Sequence, residues 1–399
     1  MLRHGYVAAP LIGALWTVTI AVTIGVVLSF STGQAFRPAL GLSLVFGAVA
    51  GLAALHLGRW SLIGALIALA LVVEFARVGP ITVLDGAQDT ILTAIALGVL
   101  AGLPLAKILG DLPTGVLSRH EFEEAVIRFL TGFGYIFFTA IVAIPFYVMV
   151  MTSLKSQQQL LQNPLDFSLD LSQGWALFRS YVELFRDFHF GTYLTTSFFV
   201  SVMTVAITLA FSVPGAYAVA RLRFKGQAMM SRSILLIYMV PMIVLALPIY
   251  IAYSMTGLRN SVLGIILIYP VTTIPVALYM LQGYFRGLPA EIEDAGLMDG
   301  LSRLNVIWKI TLPLSLPALA SVALYVFMIA WNEFLLAFML LDDPSKFTLT
   351  RGVAMLNSSE IPRQHLMAGA VIATLPIMAL FLGLEKFMTR GLTAGAVKG

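Results

Sequence analysis

Glu291, Glu293, Asp294 and Asp299 crowd one short stretch, followed by Arg303 and Lys309, and this charged segment lies between two long apolar runs. Residues of these types suit a helix start and a recognition surface. Pro289 offers the start. The three acids that follow fall in the first turn, where the helix dipole favours negative charge. Ile292, Ala295, Met298 and Leu301 recur at three-residue spacing, so one side of that helix is apolar. Gly300 interrupts it, and the sequence predicts a second short helix over Arg303–Lys309. Pro313 and Pro317 then open the next apolar run. The expected product is a helix–break–helix knob whose apolar side needs a groove to fill. An ordinary re-entrant connector between two spans would use the same residues.

A second set of candidates sits inside apolar runs. Glu333 lies about 20 residues into one of them, about 30 Å along a helix. An ionisable group in such a place suggests function, although with Trp331 and Asn332 it could equally anchor helix packing. Tyr250, Tyr269 and Thr272, with Asn332 and Glu333, are candidates for a polar substrate path, and tyrosines at these positions also suit an interfacial belt. Glu74, near the end of another run, is expected to snorkel to water.

Other chemistry is excluded or unsupported. No G-x-x-x-x-G-K-[ST] loop and no H-E-x-x-H pair occurs. There is no cysteine, so thiolate metal sites and disulfides are excluded, and His4, His56, His120, His189 and His365 are scattered. No metal site and no enzyme activity are expected. A formal charge of +4 without a Lys/Arg run argues against nucleic acid as a partner.

The elements that must position these groups are membrane spans. The 399 residues are 59% hydrophobic and 11% charged, against about 25% charged in ordinary soluble domains. Ten apolar runs approach the roughly 20 residues of a spanning helix: Tyr6–Phe30, Pro38–His56, Trp60–Arg77, Ile91–Ala106, Phe129–Met151, Tyr193–Ala220, Ser233–Met255, Ser261–Tyr284, Thr311–Leu341 and Leu366–Leu384. The first is longer than a signal-peptide core and is expected to be retained. Threading ten spans with the amino terminus inside places most Lys and Arg inside, including the cluster Arg221–Arg232. Both termini are then cytoplasmic. Leu117–Arg128 predicts an amphipathic helix, capped by Ser118 with Glu121 as capping-box partner. It either lies along the inner membrane face or is a solvated linker.

The run Asp294-Ala295-Gly296, three residues, Gly300, nine residues, Ile310-Thr311-Leu312-Pro313 resembles the signature loop of permease subunits of ATP-binding-cassette importers. That loop reads Glu-Ala-Ala, three residues, Gly, nine residues, Ile-x-Leu-Pro. Asp294 keeps the charge with a shorter reach, and Gly296 replaces Ala. Asp299-Gly300, Leu312-Pro313-Leu314, Pro317-Ala318, Trp331-Asn332-Glu333-Phe334 and the tail Gly391–Gly399 resemble the carbohydrate, maltose-type branch. The similarity covers roughly residues 129–399.

The apolar runs together with the resemblance predict an all-α, polytopic membrane protein of about ten spans. A six-helix type I permease core over residues 117–399 carries a coupling loop at 286–313, and residues 1–116 form an accessory block of four further helices. It implies that Glu293, Asp294, Ala295, Gly296, Asp299 and Gly300, with Ile310, Leu312 and Pro313, dock on an ATPase subunit. The tail Ala396, Val397, Lys398 and Gly399 is implied to touch the ATPase dimer, and the outer loop 342–365 to reach into a binding protein. The implied partners are the ATPase dimer, a second permease subunit, an extracytoplasmic solute-binding protein and membrane lipid. This chain would bind no cofactor, ATP and Mg being held by the ATPase. Its place would be a bacterial inner membrane and its cargo a sugar or sugar-like solute. An ion-driven secondary transporter is the alternative, although neither inverted repeats nor paired intramembrane charges are evident.

Overall fold

Long runs of Ala, Leu, Val and Ile satisfy their backbone in an apolar medium only as helices, and this chain is helical over most of its length. A computed structural model describes residues 3–76, 78–83, 90–163 and 166–393. In chain order it contains α1 (Gly5–Thr32), β1 (Phe36–Pro38), α2 (Leu40–Ala54), α3 (Arg59–Phe75), β2 (Ile81–Val83), α4 (Thr90–Leu109), α5 (Arg119–Ser153) and α6 (Gln157–Gln162). There follow α7 (Arg179–Asp187), α8 (Phe190–Arg221), α9 (Gln227–Tyr238), α10 (Met242–Thr256), α11 (Val262–Gly287), α12 (Ala290–Met298) and α13 (Arg303–Val306). After a π-helical turn at Ile307–Thr311 come α14 (Leu312–Leu314), α15 (Leu316–Asn332), α16 (Leu335–Leu340), α17 (Leu349–Met355) and α18 (Arg363–Thr393). The chain divides into two compact units, Met1–Leu177 and Phe178–Gly399.

In the first unit α1 lies against α2 at glycine distance. A Cβ on Gly13 would run into the Gly47 carbonyl, and one on Gly51 into the Ala9 carbonyl. Gly47 and Gly51 form a G-x-x-x-G pair, the spacing that lets membrane helices approach closely. Trp16, fully buried, donates from Nε1 to the Ala101 carbonyl at 3.2 Å and so ties α1 to α4. The α5 start carries the expected capping box: Glu121 N–H donates to Ser118 Oγ at 3.2 Å, and Ser118 N–H to Glu121 Oε2 at 2.7 Å.

The second unit is organised by α8, α11 and α15. One face of α8 carries Ser197, Ser201, Thr204, Thr208 and Ser212, all buried. The Thr208 and Thr273 hydroxyls meet at 2.6 Å, and Ser212 Oγ donates to the Ile274 carbonyl at 3.4 Å. Trp331 Nε1 donates to the Ala373 carbonyl at 3.0 Å and joins α15 to α18. Gly352 lets α17 lie on the Tyr193 ring of α8. Helix α7 is held to α18 by Glu183, whose Oε2 lies 2.7 Å from His365 Nε2 while Oε1 accepts from Arg179 Nε at 2.6 Å.

The structure differs from several expectations in detail. Among the described residues six helices are long and apolar enough to cross a membrane, or up to seven if Arg303–Leu314 and Leu316–Asn332, bent by 77°, are one span. Helices α2, α3 and α10 have 15, 17 and 15 residues. At ~1.5 Å per residue they fall short of the ~30 Å hydrocarbon layer. The expected seventh run splits at Pro241, the N-cap of α10. The ninth splits at Ser315 and Glu333. The chain is not purely α-helical, because β1 and β2 form a short antiparallel ribbon pairing Phe36 with Val83 and Pro38 with Ile81. The amphipathic segment after Ser118 is no separate helix but runs on into the next span as one 35-residue helix. No Pro lies near residue 129 to stop it, and Gly132 and Gly134 are carried inside the helix. It also packs in the first unit, which runs to Leu177. Glu74 does not snorkel: it is 3% exposed and packed against the Gly79 backbone.

Replacing Gly51 by Leu is expected to cost at least about 2 kcal/mol, because backbone rather than a side chain blocks the new atoms. Thermal unfolding of the purified chain measures it, and an unchanged midpoint contradicts the close approach. A pH effect is expected at α7. The hydrogen bond from Arg179 holds the Glu183 carboxyl below its ordinary value; burial opposes this and the His365 contact adds to it. A carboxylate with a depressed folded pKa contributes stability above its unfolded value, ~4.3, and that stability is lost as pH falls through the folded value. Hydrogen exchange over residues 179–187 should therefore stay slow at neutral pH and quicken below about pH 4, and Glu183→Gln should quicken it at neutral pH.

Candidate functional site

The acidic loop between α11 and α15 folds as helix, break, helix. Glu291 and Glu293 occupy the first turn of α12, with Pro289 as N-cap. The helix ends at Gly300, whose φ of +86° lies in the left-handed region that glycine adopts without strain. The Gly300 N–H bonds to the Leu297 carbonyl and the Leu301 N–H to that of Gly296, both at 3.1 Å. This Schellman pattern satisfies carbonyls left over at the helix end. Ser302 then caps α13, its Oγ accepting from Asn305 N–H at 3.4 Å. The following turn is π-helical, with the Leu312 N–H reaching back to the Ile307 carbonyl. It stands just before Pro313, which has no N–H for a regular α-helical bond. The 77° bend comes next, between Pro313 and Pro317.

The loop is rooted by one carboxylate. Glu293, 7% exposed, accepts from the Tyr217 hydroxyl at 3.1 Å and from Thr311 Oγ1 at 2.9 Å. Arg221 Nε lies 3.6 Å from its Oε1, and the same guanidinium donates through Nη2 to the Leu288 carbonyl at 2.7 Å. Tyr217 and Arg221 stand one helical turn apart at the end of α8. Glu293 thus fastens α12 to α8 and to the π turn.

Of the residues expected to couple, Glu293 faces inward, whereas its neighbours Asp294 and Ala295 are exposed. Gly296, three residues on from Glu293, also faces inward. A Cβ there would stand 2.5 Å from Ile310 Cδ1, so Gly296 and Ile310 pack on each other. Asp299, Gly300 and Pro313 are exposed and Leu312 is half-buried. Ile292, Met298, Leu304 and Trp308 add exposed apolar surface, Met298 being 88% exposed. Sequence reasoning missed Tyr217, Arg221 and Thr311. The available signal was an arginine in the last turn of a span, where it needs a counter-charge.

The five candidates for a substrate path do not converge. Tyr269 is buried and lies within electrostatic reach of Glu333, although its hydroxyl has no hydrogen bond of good geometry. Glu333 accepts from the N–H groups of Leu336 (2.8 Å) and Ala337 (3.2 Å) and so caps α16. Thr272 Oγ1 donates to the Tyr269 carbonyl and Asn332 Nδ2 to the Met328 carbonyl, each back onto its own helix. The Tyr250 ring lies under the Arg259 guanidinium, 4.8 Å from its centroid. The anchoring reading of Glu333 fits this geometry. Segment 342–365 folds largely back onto its own unit, with Phe347, Leu349 and Leu356 buried, and exposes Asn357–Glu360 at its tip. Asn260 clamps its start, accepting through Oδ1 from the N–H groups of Asp342 (3.1 Å) and Asp343 (3.0 Å). The tail residues Ala396, Val397, Lys398 and Gly399 lie outside the described residues.

Residues 212–393, which contain this loop, match the family described as binding-protein-dependent transport system inner membrane component. The inner membrane ABC transporter permease protein YcjP of Escherichia coli is 37% identical over 269 residues, 67% of this chain and 95% of that protein. The chain belongs to this family. The trehalose/maltose transport system permease protein MalG of Thermococcus litoralis is 34% identical over 281 residues, 69% of this chain and 99% of that protein. A solved bacterial ABC transporter involved in the import of the acidic polysaccharide alginate has the same fold, with a TM-score of 0.57 at 23% identity. The match covers 68% of this chain and 99% of that one. As a family member the chain is a membrane transport permease.

Within this permease, Glu293→Ala leaves Arg221 buried beside no counter-charge and is expected to cost about 3 kcal/mol. Thermal unfolding and protease cleavage within 290–313 measure the loss, and a variant as resistant as the parent contradicts the anchoring role. Gly300→Ala should cost about 1 kcal/mol through backbone strain alone, since nothing lies within 4 Å of the new methyl. Gly296→Ala should be nearly neutral, because only the mobile end of Ile310 must move.

Proposed function

We propose that this permease carries a sugar or sugar-like solute into the cytoplasm, driven by a separate ATPase subunit dimer that holds ATP and Mg. A solute-binding protein delivers the cargo outside, and a second permease subunit completes the path. The observation that carries this reading is the seat of the coupling loop. Its buried side is fixed through Glu293 to α8, while Asp294, Ala295, Asp299, Ile292 and Met298 are left outward for a groove on the ATPase. Force applied to that surface reaches α8 through a buried ion pair and α15 through the π turn. The sugar class is supported by the similarity to a trehalose/maltose permease.

The finer topology belongs to the same reading. Helices α2 and α3 and the pair α9–α10 count as spans beside the long ones, the bilayer thinning locally to meet the short ones. That makes ten in a bacterial inner membrane, with both termini and the coupling loop cytoplasmic. Residues 1–116 form an accessory block: the similar permeases cover about two thirds of the chain, and the family match begins at residue 212. The tail Ala396–Gly399 adds a second contact to the ATPase dimer. Tyr269 and Glu333 line the region where α11, α15 and α16 meet, and they favour a gate that packs over a site that binds.

Met298→Asp, made at an exposed position, is expected to lower ATP-driven uptake about tenfold, the factor that about 1.4 kcal/mol of lost docking supplies. The permease itself should still reach the membrane. Uptake into vesicles and co-purification of the ATPase are the readouts. Unchanged uptake together with unchanged ATPase retention overturns the proposal.

A further inference from the structure

The first unit holds a groove that the transport reading leaves unused. It has a volume of about 570 Å³ and runs between α4 and α5, within the roughly 300–1,000 Å³ of ligand clefts. Its floor is apolar, formed by Pro104, Ile108, Ile127 and Tyr135 among others, and its charges stand together at one end. Those charges are Lys107 and Asp111 on the last turn of α4 and just beyond it, and Arg128 on α5. Arg128 closes the polar opening of α5, which runs from Arg119, and the sequence is apolar from Phe129 onward. The mouth therefore lies where a bilayer surface would be. Tyr135, seven residues further along α5, lies about 10 Å deeper at ~1.5 Å per residue.

The charges at the mouth are unequally used. Arg128 is bound on three sides, to Asp111 at 3.2 Å, Glu124 at 2.7 Å and the Lys107 carbonyl at 3.2 Å. Lys107 is exposed and carries no ion pair among the described residues. The Asp111 side chain remains 85% exposed despite Arg128, so it keeps acceptor capacity facing outward. With Glu124 bound to Arg128 beside the groove, two cations and two carboxylates make the mouth formally neutral, and one open group of each sign stands four residues apart, Lys107 on α4 and Asp111 just past its end. A headgroup with both signs matches this; a net anion would meet Asp111 and Glu124. A carboxylate rewards N–H donors with charge-assisted hydrogen bonds, which a primary ammonium has and a quaternary one lacks.

We propose that this groove binds a zwitterionic aminophospholipid, with its phosphate on Lys107, its ammonium on Asp111 and the upper part of an acyl chain along Ile108, Ile127 and Tyr135. Basic pockets between membrane helices are known to hold headgroups; here the adjoining carboxylate selects the amine. The site lies wholly in the first unit and does not depend on which solute is carried.

Native mass spectrometry of the full chain, delipidated in mild detergent and supplied with dioleoyl phosphatidylethanolamine, phosphatidylglycerol or phosphatidylcholine, tests it. Phosphatidylethanolamine adducts should exceed either of the others about fivefold, equivalent to about 1 kcal/mol. Lys107→Ala, at an exposed position that should not disturb folding, should abolish the excess. Asp111→Asn should erase discrimination between the ethanolamine and choline lipids, and Thr131→Trp, which fills the groove, should weaken all three. Equal adducts from all headgroups, or an undiminished excess in Lys107→Ala, overturn the proposal. Preferred binding of phosphatidylglycerol overturns the headgroup assignment.

Discussion

A buried carboxylate cannot stand alone, and the second unit is arranged around that constraint. Glu293 finds Arg221, Tyr217 and Thr311, and in doing so joins three segments: the end of α8, the short α12 and the π turn. Helices of 9 and 4 residues, such as α12 and α13, are too short to persist alone in water. Their order comes from this root and from the Gly296–Ile310 contact. A loop seated this way is tied to the end of α8 by buried polar contacts.

Other polar groups in the second unit obey the same rule. Thr208 bonds Thr273, Ser212 reaches the Ile274 carbonyl, and Thr272 and Asn332 return to their own backbones. Glu333 closes the open amides of α16 where the chain breaks after α15. These bonds give each of these polar groups a partner within its own unit. Proline or a capping side chain stands at the main breaks: Pro241 before α10, Pro313 and Pro317 around the 77° bend, Glu333 before α16. Discontinuous helices with internally satisfied ends suit a protein that must change shape within a lipid layer.

The first unit uses a different device. Its helices carry few polar groups to share and approach instead through glycine, at Gly13, Gly47 and Gly51. Dispersion between closely spaced backbones then takes the place of the hydrophobic effect, which is weak between helices bathed in lipid. The Lys107, Asp111, Arg128 and Glu124 cluster is where this apolar block meets polar surroundings.

Local chemistry was legible in the residues alone. Membrane-length helices follow from apolar runs, the α5 start from Ser118 and Glu121, and the loop's break from Gly300, because each depends on a few neighbouring positions. Family membership was legible too, since the spacing from Asp294 to Pro313 survives intact. What stayed hidden was helical phase. Glu293 and Asp294 are adjacent acids about 100° apart on one helix, and nothing local says which of them turns inward. The answer came from Arg221, 72 positions earlier in the numbering, whose place beside α12 is set by how α8 packs. The same holds for the continuous α5, the ribbon of β1 and β2, and the folding back of segment 342–365. Each is decided by which distant surface is near enough to bury a side chain or share a hydrogen bond, and linear order does not carry that information.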